Sequence, residues 1–146
     1  MSFDNAISAF KAELQKLTYT DAGGTTRNVN VYDETDLVNG KAQWKTPALV
    51  IRGVIIISSP ISIGWNNFNE LGEFTVSLYL KQRAGDYVDV SVREEITQQI
   101  IELAKSLKTG IGDAEYLKLT GIIERDWVEK PGILRRDFTF EVYKEY

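Results

Sequence analysis

Neither cysteine nor histidine occurs among these 146 residues. Without cysteine there are no disulfides, thiolate zinc sites or cysteine nucleophiles, and the composition suits a reducing compartment. Without histidine, the commonest general base near neutral pH and the commonest transition-metal ligand are also gone, which excludes ordinary catalytic triads and zinc sites. A long apolar run is missing from the first twenty residues, which are broken by Asp4, Lys11, Glu13 and Lys16 and so lack the core of a signal peptide or membrane helix. The expectation is a soluble, cytoplasmic chain with no membrane contact. Positive charge is in deficit: 17 Lys and Arg against 21 Asp and Glu leave a net charge of -4. That balance opposes non-specific attraction to phosphate backbones or anionic membranes.

What is present suffices for one packed core. The hydrophobic share is 43%, and the length suits a single domain spanning 1-146. From Asp4 to Leu17, Ile7, Phe10, Leu14 and Leu17 recur at helical spacing, which predicts an amphipathic helix. Gly23-Gly24 lies in a turn over Asp21 to Thr26, and a short strand through Val29, Val31 and Tyr32 follows. Asp33 to Lys45 reads as a polar loop, and Ala48 to Ile57 as a β-branched strand covered on both faces and interrupted by Arg52-Gly53. Ser58 to Gly72 reads as an exposed binding loop carrying Trp65, Asn66, Asn67 and Phe68.

Glu73 to Lys81 alternates, with Phe74, Val76, Leu78 and Leu80 on one face. Ser91 and Glu94 have capping-box spacing before a helix carrying Ile96, Ile100, Leu103 and Leu107. Tyr116 to Val128 and Leu134 to Tyr143 form a hairpin across Glu129-Lys130-Pro131-Gly132. The resulting fold class is α+β: one largely antiparallel sheet with helices on one face, in the order α-β-β-β-α-β-β.

Catalytic patterns are weak throughout. Gly110-Ile111-Gly112 follows a helix rather than a strand and lacks the rest of a phosphate loop. Glu94-Glu95 reads as a cap and a solvated neighbour rather than an acid/base pair. Asp33, Glu34 and Asp36 lack the spaced ligands of a calcium loop and read as a solvated acidic loop. Arg135 and Arg136, near Arg125 and Lys130, are sent to opposite faces by strand alternation, so they make no continuous anion patch. No catalytic, cofactor or metal residues are assigned, and the chain reads as not an enzyme. The candidate protein-interface residues are Trp65, Asn66, Asn67 and Phe68 in the loop, with Trp127 on the strand face shared by Ile123 and Arg125. The alternative for the loop aromatics is that they fold back over the sheet edge, and for Trp127 that it lies on a monomer's outer surface.

Four segments, the helix Asp4 to Leu17, the strand EFTVSLYLK, the helix SVREEITQQIIELAKSL and the closing strand RRDFTFEVY, resemble by order and spacing the tail terminator (tail completion) family of long-tailed bacteriophages. The resemblance spans most of the chain and contains no diagnostic motif. It implies a virion protein of the tail or neck, assembled in the host cytoplasm as a homo-hexameric ring at the head-proximal end of the tail tube. Such a ring ends tube polymerisation, helps fix tail length and offers a surface for head-tail joining. The implied partners are the tail tube protein and a head-completion or neck protein; DNA passes through the lumen without specific binding, and no cofactor is involved. A ring requires two different complementary surfaces on each copy, one of which the Ser58 to Gly72 loop is suited to supply. Three other readings stay open at this point: another neck or tail-tube component, a small hydrolase or nuclease using carboxylates and a metal, and a dimeric regulatory or ligand-binding module with a pocket between sheet and helices.

Overall fold

A computed structural model of the protein describes residues 4–21, 23–34, 36, 45–60, 68–81, 90–124 and 133–145. Helix α1, Asp4–Leu14, buries Ala6, Phe10 and Leu14, a spacing of four that puts all three on one face. Eleven residues make a helix that is marginal alone, so its order depends on docking. One tie comes from 107 residues away: Asp113 Oδ1 accepts a hydrogen bond from Ala6 N at 2.9 Å, satisfying one of the amide donors that every helix start leaves unpaired.

Two short strands follow, β1 (Thr18–Thr20) and β2 (Thr26–Asn28), then β3 (Asn30–Asp33), β4 (Ala48–Pro60) and β5 (Phe68–Lys81). Helix α2, Val90–Ser106, precedes β6 (Tyr116–Glu124) and β7 (Ile133–Glu145). The last five strands form one sheet in the order β3-β4-β5-β7-β6. Only β3 and β4 run parallel; the other neighbours are antiparallel. The class is α+β, as the periodicities imply, but the single sheet and the element order need correction.

A second, two-stranded sheet joins β1 to β2, so five strands instead of three precede α2 among the described residues. This hairpin has no apolar alternation to betray it. Its turn is organised by Asp21, whose Oδ1 accepts from Gly23 N and Thr25 N while Oδ2 pairs with Arg27 Nε at 2.6 Å. Gly24 supplies the positive φ of 82° that the turn needs.

The expected loop from Ser58 to Gly72 is also shorter than its composition suggests. Strand β4 continues to Pro60 and β5 starts at Phe68, paired from Ile55↔Glu73 to Pro60↔Phe68. Serine, asparagine and glycine persist in these strands because β5 is bonded on both sides, with β7 covering it from Asn69↔Glu145 onward, and backbone ladders do not require apolar side chains. Arg52-Gly53 marks a β-bulge, where Gly53 adopts a φ of 69°.

The core lies between the helices and one sheet face. Phe74, Val76, Leu78 and Leu80 of β5 and Phe138, Phe140 and Val142 of β7 meet Phe10 and Leu14 of α1 and Ile96 and Ile100 of α2. Phe10 lies edge-on to Phe74 and Phe140 with centroids 5.6 and 4.9 Å away, and those two rings stack at 5.4 Å. Leu49 and Ile51 of β4 join this face while Ala48 and Val50 are buried on the other, as expected for the part of the apolar run ahead of Arg52-Gly53.

Candidate functional site

Of the residues singled out for contacts, Trp65, Asn66, Asn67 and Trp127 lie outside the described residues. Phe68 is not in a loop: it opens β5, paired with Pro60. Strand β6 is described as far as Glu124, and Ile123, on the strand face expected to carry Trp127, is 48% exposed.

The groups weighed for chemistry have structural partners. Lys11 Nζ contacts Asp33 Oδ2 at 2.9 Å and Asp36 Oδ2 at 3.0 Å, while Glu34 Oε1 accepts from Gly53 N at the β4 bulge. The expected solvated acidic loop is instead tied to α1 and β4. Glu94 Oε1 accepts from Arg136 Nη1, and Glu95 accepts from the backbone and hydroxyl of Thr20. Helix α2 already includes Val90, so Ser91 lies inside it rather than at its cap. The Gly110-Ile111-Gly112 turn packs against α1: a Cβ at Gly112 would lie 2.8 Å from the backbone of Asn5 and Ala6. Among the described residues, no group of three or more acidic side chains is placed to hold a metal ion, and no helix is long and apolar enough to cross a membrane.

The hydrogen bond from Lys11, helped by the Asp36 amide, holds Asp33 below its ordinary value of 3.8 against partial burial, which pushes the other way. A depressed carboxylate stabilises the fold above its unfolded value and loses that contribution as pH falls through the folded one. Lys11→Met is therefore expected to cost about 1 kcal/mol at neutral pH and almost nothing near pH 2. Urea denaturation at both pH values checks this, and equal losses at both would refute it.

Arg135 and Arg136 point to opposite sheet faces, as alternation requires. On the helix side Arg136 is buried, donating to Thr97 Oγ1 at 2.8 Å and pairing with Glu94 and Glu124. On the other side Arg135 grips Asp137 through Nε and Nη2 at 2.8 and 3.0 Å, and Ser77 Oγ donates to Asp137 Oδ1 at 2.7 Å. Arg52 and Arg135 both approach the Tyr79 ring, their guanidinium carbons 6.0 and 5.6 Å from its centroid. This buried polar cluster has no sequence signature, because its members come from three strands.

An open groove of about 660 Å³ runs between α2 and β6. Ile101, Ala104, Leu117 and Leu119 supply its apolar lining, and Lys105, Lys108 and Lys118 its positive charge. At one end Tyr116 donates to Glu141 at 2.8 Å; loss of water around the phenol, reinforced by that carboxylate, pushes its pKa up to about 12. Beside the groove, β6 is an edge strand.

Comparison with known proteins bears on this geometry through the fold. No protein-family model matches the chain, and no curated protein matches it either. A solved structure described as the virion of a native gene transfer agent (GTA) particle contains a chain that superposes with a TM-score of 0.62 at 15% sequence identity, covering 99% of this chain and 100% of that one. At that identity the likeness is one of fold: the strands and helices described above are arranged as in a chain of that particle.

Proposed function

We propose that this chain is a structural virion protein that forms a homo-hexameric ring at the head-proximal end of a phage tail tube, ends tube polymerisation and presents the surface for head-tail joining. The observation that carries this reading is the fold shared, over 99% of the chain, with a chain of a gene transfer agent virion. The order and spacing of the four segments that resemble tail terminators also support it. Trp65, Asn66, Asn67 and Phe68, between and at the facing ends of β4 and β5, and Trp127, beyond β6, are the proposed contacts with neighbouring subunits, the tail tube protein or a neck protein. The same fold suits another neck or tail-tube position, and labelling the protein on intact particles separates the two.

The test is native mass across a concentration series, with negative-stain imaging of the same samples and of samples mixed with purified tail tubes. The expected result is a six-membered ring in solution or capping the tube. Trp65→Ala with Phe68→Ala is expected to weaken ring formation or tube capping at least tenfold. A monomer at every concentration that also leaves tubes bare would end this reading.

A further inference from the structure

Among the stretches of sheet edge that no described strand covers, two lie on opposite sides of the five-stranded sheet. The first is the outer edge of β6. The second is the outer edge of β4 beyond Ile51, because β3 pairs only with Ala48 through Ile51. Soluble proteins usually guard such edges with lysine, proline, inward charge or a bulge. Here such guards are few: Lys118 and the irregularity before Gly121 in β6, the Gly53 bulge and Pro60 in β4. Past Gly121, β6 exposes Ile122 and Ile123, at 41% and 48%, one on each strand face because their partners are Phe138 and Asp137. The free part of β4 has the sequence Ile55-Ile56-Ile57-Ser58-Ser59, with no charge.

The flanking charges have opposite signs. Lys105, Lys108 and Lys118 border the β6 edge. Asp33, Glu34 and Asp36 stand where β3 ends; among the described residues Lys11 pairs with Asp33 and Asp36, and Glu34 accepts from Gly53 N at the β4 bulge, so three carboxylates there meet one ion-paired lysine. We infer that the β6 edge of one copy adds to the free β4 edge of the next copy, making a sheet that continues across subunits. The inference rests on the ring reading and names the surfaces that would build it. Two different edges on opposite sides make a head-to-tail contact, the kind that closes into a ring when the rotation permits. Main-chain hydrogen bonds together with Ile122 and Ile123 of β6 provide the adhesion, and the lysine and acidic flanks fix its direction.

The absence of native cysteine allows a direct test. Chains carrying Ile122→Cys or Ile123→Cys together with Ile57→Cys or Ser58→Cys are assembled, oxidised and run without reductant. At least one pairing is expected to give a ladder extending to six subunits, while the corresponding single variants give none. A separate variant, Ile122→Lys with Ile123→Lys, alters only partly exposed side chains; it is expected to keep its circular dichroism spectrum and to lose ring formation at least tenfold. Wild-type rings seen by native mass, with no ladder from any pairing, would overturn this edge assignment and leave the ring reading standing. Cross-linked dimers from a single variant would overturn it in favour of a symmetric contact, and an intact ring in the double-lysine variant would do so as well. Absence of any ring, free or on tubes, removes the ring reading and this inference together.

Discussion

Phe10→Ala is expected to destabilise the protein by about 3–5 kcal/mol, the usual cost of emptying a fully buried aromatic site. Phe10 is the central side chain on the buried face of α1, and it makes edge contacts with both Phe74 and Phe140, which join α1 to neighbouring strands β5 and β7. A helix of this length gains little from its own hydrogen bonds, so the loss reaches beyond the ring contact. Lys11, one residue on, carries both acidic partners of the β3 end, and undocking α1 would strain those pairs. Phe10→Leu keeps an apolar group there and is expected to lose less than half as much. Urea denaturation followed by far-UV circular dichroism measures both, and a loss below about 1 kcal/mol for the alanine variant would show that the helix is held chiefly elsewhere.

The elements that were legible in the sequence are those in which burial on one face writes a period into the chain. Phe74, Val76, Leu78 and Leu80 alternate because one side of β5 faces the helices, and all four are buried. Ile96 and Ile100 mark α2, and Phe10 and Leu14 mark α1, for the same reason. The pairing of β6 and β7 was readable from two strand candidates on either side of Pro131-Gly132, and the strands do pair antiparallel. Strands β1 and β2 escaped because they pack few apolar side chains; Asp21 and its turn organise them, and Gln99 of α2 binds the backbone of Thr18 from 81 residues away. The extension of β4 and β5 past Ser58 escaped because register with β7, a long-range property, keeps those polar residues extended.

The same division holds for the surfaces. Alternation was enough to place Arg135 and Arg136 on opposite faces, but not to find their partners. Ser77 and Asp137 are 60 residues apart, and Arg136 meets Glu94 across 42. The two free edges became visible only with the strand order, since nothing in the sequence of Ile122-Ile123 distinguishes an edge strand from a central one. Gly112 could have been read as a packing glycine, because its turn lacks every other part of a phosphate loop, yet its proximity to Asn5 and Ala6 needs the fold.

Asp137→Ala is expected to cost about 3–5 kcal/mol, because it removes the anionic centre of a cluster whose other members stay in place. The Asp137 side chain is 6% exposed, and that of Arg135 is 15% exposed. Without the carboxylate, Arg135 loses two charge-assisted hydrogen bonds and Ser77 loses its acceptor. Arg52, whose Nη2 is already buried without a hydrogen bond and lies 3.9 Å from Asp137, loses the carboxylate it faces among the described residues. Asp137→Asn retains an acceptor for Ser77 and is expected to cost less. Replacing the whole set by apolar residues, with Arg52→Met, Ser77→Ala, Arg135→Met and Asp137→Leu, is expected to recover most of the stability, since no desolvated charge is then left alone. That variant also separates two uses of the cluster. Stability and ring formation restored together identify a device that orders the sheet; stability restored without rings assigns the two arginines beside Tyr79 to a surface used in assembly.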